Sequence, residues 1–112
     1  MSGYKTQRIS EDIKRELAFI LPTLKDPRIS GMLSVVRVEV SGDLSYAKIF
    51  VSAVEGIEKA KESVKGLKSA AGFIRRELGK QLSLRKMPEL IFIADDSIAH
   101  SAHIAQLLED SK

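Results

Sequence analysis

Residues 57–82 read IEKAKESVKGLKSAAGFIRRELGKQL. Ile57, Ala60, Val64, Leu67, Ala71, Ile74, Leu78 and Leu82 recur every three or four residues, the rhythm of an amphipathic helix. At about 1.5 Å per residue, one straight helix over this stretch would be roughly 39 Å long. The chain has 112 residues, which suits a single domain with a radius of gyration of roughly 13 Å. A rod of that length would leave one end hanging in solvent. The segment must bend or break, and Gly72 lies inside it, where glycine costs roughly 1 kcal/mol against alanine. The spacing predicts two helices, 57–70 and 73–82, with a kink at Ala70, Ala71 and Gly72.

The flanks supply the sheet. Pro88 stops helix formation, and Leu90-Ile91-Phe92-Ile93-Ala94 is a continuous apolar run of strand length, expected to be buried on both faces or nearly so. Upstream, residues 33–40 place Val36, Val38 and Val40 on one face and Arg37 and Glu39 on the other. Residues 46–53 set Ala47, Ile49 and Val51 against Tyr46, Lys48, Phe50 and Ser52, and Ser41-Gly42-Asp43 supplies the turn of a β-hairpin. Ahead of the hairpin, Ile9, Ile13, Leu17, Ile20, Leu21 and Leu24 keep a helical spacing that Pro22 must end or kink. Lys25-Asp26-Pro27-Arg28 then reads as a turn. After the last strand, Ser97 is placed to cap a final helix with Ile98, Ile104, Leu107 and Leu108 facing inward. The order is α-β-β-α-α-β-α, one α+β domain over residues 1–112, without repeat or linker.

Composition removes several function classes. With 44% hydrophobic and 29% charged residues, wholesale disorder is excluded. No run of apolar residues is long enough for a membrane span, and the N-terminus lacks the apolar core of a signal peptide. Cysteine is absent, which removes disulfides, thiol catalysis and cysteine-ligated zinc together and points to the cytoplasm. The formal net charge is only +3, but it is unevenly spread. Residues 66–86 hold Lys68, Arg75, Arg76, Lys80, Arg85 and Lys86 against Glu77 alone, while residues 87–112 hold Lys112 against Glu89, Asp95, Asp96, Glu109 and Asp110.

No catalytic set emerges. His100 and His103 share one helix face, but a metal site needs a third ligand and an open position. Gly79-Lys80 has the wrong spacing from Gly72 for a phosphate-binding loop, and Gln81 stands where magnesium would need a hydroxyl. The chain is therefore expected to be no enzyme and to use neither cofactor nor metal. The basic block reads as a nucleic-acid surface, because solvated helix faces ordinarily interleave both signs. The first turn after the kink offers free backbone N–H groups and the positive end of a helix dipole, which suit a phosphate. Arg75 and Arg76 add bidentate donors beside it. No DNA-reading helix is visible, and only 5% of residues are aromatic, so base stacking is poorly supplied. Backbone-dominated binding to structured RNA, through Lys68, Arg75, Arg76, Lys80, Arg85 and Lys86, is the resulting expectation.

Nearly the whole chain also resembles the ribosome-binding factor A family. The likeness is carried by Arg8-Ile9 with Glu16-Leu17 and Ile20-Leu21, by Lys25-Asp26-Pro27-Arg28, and by the hairpin from Val38 to Ser52. It continues through Ala70-Ala71-Gly72-Phe73-Ile74-Arg75, Leu84-Arg85 with Pro88, Leu90 and Phe92, and Asp95-Asp96-Ser97 with Ile104, Leu107 and Leu108. Each motif alone is weak; six in the right order make a strong match. Pro22 departs from the pattern by interrupting the end of the first helix. The resemblance implies a type II KH-like domain: a three-stranded sheet packed on helices, with a helix-kink-helix at Ala-x-Gly in place of the Gly-x-x-G loop. It implies a non-enzymatic assembly factor that binds the small (30S) ribosomal subunit and its 16S rRNA. It further implies late maturation and processing of that RNA, support of growth in the cold, and a monomer when free. The competing reading is a protein-interaction module that uses the acidic C-terminal segment or a sheet edge without touching RNA.

Overall fold

The computed structural model describes residues 2–84 and 86–96, with side chains from residue 6 onward. Helix α1 spans Ser2–Ile20 and buries Ile13 and Leu17 completely. Pro22 cannot donate a helical hydrogen bond. The chain accordingly tightens into a 3-10 turn at Leu21–Thr23, closed by the Leu24 N–H on the Leu21 carbonyl at 3.1 Å.

Strands β1 (Leu33–Val40) and β2 (Tyr46–Ala53) form the antiparallel hairpin, with Val40 opposite Ala47. Asp43 organises its turn: one carboxylate oxygen accepts from the Ser41 hydroxyl at 2.9 Å and the Ser45 N–H at 3.0 Å. These hydrogen bonds, those of Ser45 foremost, pull the Asp43 carboxyl down to about 2. Leu44 completes the turn with a φ of 60°.

Helices α2 (Ile57–Ser69) and α3 (Ala71–Gln81) then cross over the sheet and return the chain to β3 (Glu89–Ala94), parallel to β2. The sheet order is β1-β2-β3, and helices α1, α2 and α3 pack on one of its faces. Ile49 and Val51 of β2 meet Ile13, Leu17, Leu67, Ile74, Leu78 and Phe92 in a single core. This is the type II KH-like architecture.

Three expectations need correction. Val36 does not share the core face of β1. The register steps between Val35 and Arg37, so Val36 is the extra residue of a β-bulge, and Leu33 and Val35 join Val38 and Val40 against the core. Strand β3 is not buried on both faces: it forms a sheet edge, and Ile91 points away from the helices, 37% exposed. The break between α2 and α3 falls at Ala70, within the expected Ala70–Gly72 kink, but the second helix starts at Ala71 and not at residue 73, so Gly72 lies inside α3. The proposed last helix, from Ser97 onward, lies outside the described residues, as do His100 and His103.

Candidate nucleic-acid interface

A single residue separates the two crossover helices. Ala70 has φ −96° and ψ 5°; its N–H caps α2 on the Gly66 and Leu67 carbonyls, both at 3.1 Å. Its carbonyl then accepts the first bond of α3, from the Ile74 N–H at 2.9 Å. The N–H groups of Ala71, Gly72 and Phe73 have no intrahelical acceptor, which is the rule for any first helical turn. No side chain caps this end, and no acidic residue stands in the first turn of α3. The positive end of the α3 dipole therefore has no carboxylate in its own first turn, although the C-terminal end of α2 lies one residue away.

Cations surround it. Ile74 and Leu78 hold α3 to the core, which turns Arg75, Arg76 and Lys80 outward. Arg75 is partly committed: its Nη2 donates to the Met87 carbonyl at 2.9 Å and ties α3 to the approach to β3. Lys80 lies 3.1 Å from Glu77, an exposed pair of little energetic weight. Lys68, Arg76 and Lys86 are exposed and make no ion pair among the described residues. Arg85 lies outside the described residues. Gly72 and Gly79 are both exposed, and a Cβ added to either would meet nothing within 4 Å.

Two cations beside the break escaped the sequence reading. Lys65 is exposed, three residues before Lys68, and the local signal for it was present. Lys59 and Lys61 are answered by Glu62 and Glu58, so sign interleaving ends at Lys65. Arg28 had no such signal. It reaches the end of α2 from far upstream and donates to the Ser69 hydroxyl at 3.1 Å. Asp26 holds it there through a bidentate contact whose shortest distance is 2.6 Å. The Arg28 hydrogen bonds pull the Asp26 carboxyl down to about 2. The loop lies so close to α2 that a Cβ at Gly66 would stand 2.7 Å from Ile29 Cγ1 and 3.2 Å from the Asp26 carboxylate. Ser63 stitches the same contact, accepting from the Ser30 N–H at 2.9 Å.

Among the described residues, no three His, Asp or Glu side chains are placed to hold a metal ion. No helix among them is long and apolar enough to cross a membrane.

The family model for Ribosome-binding factor A matches residues 5–108. A ribosome-binding factor A of Clostridium novyi is 46% identical over 113 aligned positions, covering 100% of this chain and 93% of its own. One from Clostridium tetani is 48% identical with the same coverage of each. Among solved structures, the ribosome-binding factor A of Thermus thermophilus superposes with a TM-score of 0.71 at 27% identity, over 80% of this chain and 93% of that one. A Thermotoga maritima solution structure superposes at 0.72 with 35% identity, over 80% of this chain and 86% of that one. A homology model of Thermus thermophilus ribosome-binding factor A, fitted into a cryo-EM map of a 30S complex of that protein, superposes at 0.63 with 30% identity, over 75% of this chain and 88% of that one.

Proposed function

The chain belongs to the ribosome-binding factor A family, and on that premise we propose that it is a non-enzymatic assembly factor that binds the small ribosomal subunit through 16S rRNA. The observation that carries this reading is the break at Ala70, an uncapped helix start with exposed cations on both sides. A phosphate placed there would accept from the free N–H groups at the start of α3 while Arg76 and Lys68 neutralise its neighbours. Glycine at position 72 leaves the backbone of that turn open to a ribose-phosphate chain.

Such a contact set holds the shape of an RNA and reads little of its sequence. The mechanism is conformational: bound protein stabilises one arrangement of the RNA by its differential affinity for it, and must leave before the subunit works. Late maturation of 16S rRNA, its processing, and a greater need in the cold, where misfolded RNA escapes slowly, follow from that role. The place of action would be the cytoplasm, and the free protein a monomer.

The test is a salt titration of binding to small subunits and to protein-free 16S rRNA. Arg76→Ala and Lys80→Ala should each weaken binding and reduce the slope of log affinity against log salt by roughly 1 per lost phosphate contact. These two variants are cleaner than Arg75→Ala, which also removes the Met87 tether. Unchanged slope and affinity in the double variant would sink the assignment.

A further inference from the structure

The chain has four phenylalanines. Phe92 belongs to the core, and Phe50 lies beneath the Arg37 guanidinium, 4.1 Å from its ring centre. The other two are left in solvent, Phe19 70% and Phe73 44% exposed. They stand on different helices, yet both line one groove of about 190 Å³ between α1 and α3. Glu16, Phe19 and Ile20 of α1 and Thr23 of the 3-10 turn line one side, and Phe73, Glu77 and Gln81 of α3 the other. A lone exposed aromatic is ordinary; two converging on one groove beside a cationic helix face are not.

We propose that this groove takes up one unpaired nucleobase of the bound RNA, stacked on Phe73 and Phe19. The inference rests on the RNA-binding reading above and adds base stacking to it. The groove's charge layout selects this occupant. Its polar lining leans to acceptors: the Glu16 carboxylate, the Glu77 carboxylate, which also holds Lys80 at 3.1 Å, and the Thr23 oxygen, whose own proton goes to the Ile20 carbonyl at 2.6 Å, with Gln81 offering both a carbonyl and an amide N–H. Acceptors suit the amino and imino N–H groups of a base edge and repel a phosphate. The phosphates belong outside, where Arg76 and Lys80 follow Phe73 at i+3 and i+7 along the same exposed side of α3. An extruded nucleotide has this polarity, with a flat apolar face, a donor-bearing edge and an anionic backbone on one side. An aliphatic peptide anchor would leave the Glu16 carboxylate facing it without a donor, whereas Glu77 already has Lys80 at 3.1 Å.

The full chain is titrated with protein-free 16S rRNA and with small subunits. Phe73→Ala should lower affinity for both by about 5- to 150-fold, the range for loss of one stacked base. Its salt slope should stay at the wild-type value, because no phosphate contact is lost. Phe73→Tyr should retain binding, whereas Phe73→Leu, apolar but without a π face, should not. Both rings are exposed, so thermal unfolding of each variant should remain near wild type. If Phe73→Ala and Phe19→Ala bind 16S rRNA like wild type while Arg76→Ala is weakened, the stacking inference is overturned and the RNA reading stands. A loss on small subunits but none on protein-free rRNA would make the groove a protein-docking site and overturn it too. If wild type shows no salt-dependent binding to either, the RNA reading falls first.

Discussion

Replacing Gly72 by alanine separates what the fold needs at the break from what the ligand needs. Gly72 is the second residue of α3, its φ is not positive, and the added methyl would meet nothing within 4 Å. In the free protein the change is therefore a helix-propensity gain of about 0.5–1 kcal/mol. For a domain of this size that raises the unfolding midpoint by roughly 2–6 °C. In the complex the same methyl occupies the space through which a ribose-phosphate chain would approach the free N–H groups of Ala71, Gly72 and Phe73. Losing one hydrogen bond to a charged acceptor costs about 1.5–3 kcal/mol, or a tenfold or greater fall in affinity. Thermal unfolding and fluorescence-anisotropy titration with 16S rRNA read the two effects on one preparation. The expected Gly72→Ala protein is more stable and binds worse. A protein that is more stable and binds equally well would refute the placement of RNA at this turn.

Gly66→Ala should do the reverse. Its methyl would collide with Ile29 and crowd the Asp26 carboxylate, costing about 1–3 kcal/mol in chemical denaturation. Leu78→Ala, at a completely buried position, should cost about 2–5 kcal/mol in the same assay. The Asp26 carboxyl is held at about 2, below its ordinary 3.8, so the stability it contributes is present above that ordinary value and lost as pH falls through about 2. Asp26→Asn should remove this part of the acid dependence, checked by unfolding midpoints across that window.

The helix-break-helix was legible because its argument was length: a stretch from residue 57 to 82 cannot stay straight in so short a chain. The position of the break was legible only to within the Ala70–Gly72 segment. Helix α2 packs on β2 and β3, whereas α3 packs chiefly on α1 and only lightly on β3, and this change of partner accompanies the break at Ala70. A glycine's preference of roughly 1 kcal/mol is too weak to compete with it. The bulge was hidden in Val35-Val36, where either valine suits a core face and only the register with Val51 and Phe50 decides. The apolar run of β3 could not announce its open face, since a buried and an edge strand read alike there. The cationic block was visible in sequence except for Arg28, which topology alone carries to Ser69. The phenyl pair was invisible for the same reason: Phe19 and Phe73 line one groove only because α1 packs against α3.

The central claim is that the break between α2 and α3 is the surface that meets RNA. Ultraviolet crosslinking of the full chain to immature small subunits, with identification of the crosslinked peptides, tests it most directly. Crosslinks concentrated between Lys65 and Lys86 are the expected result. Crosslinks confined to the opposite sheet face, at Arg37, Tyr46, Lys48 or Ile91, would contradict it, as would crosslinks to ribosomal proteins with none to 16S rRNA.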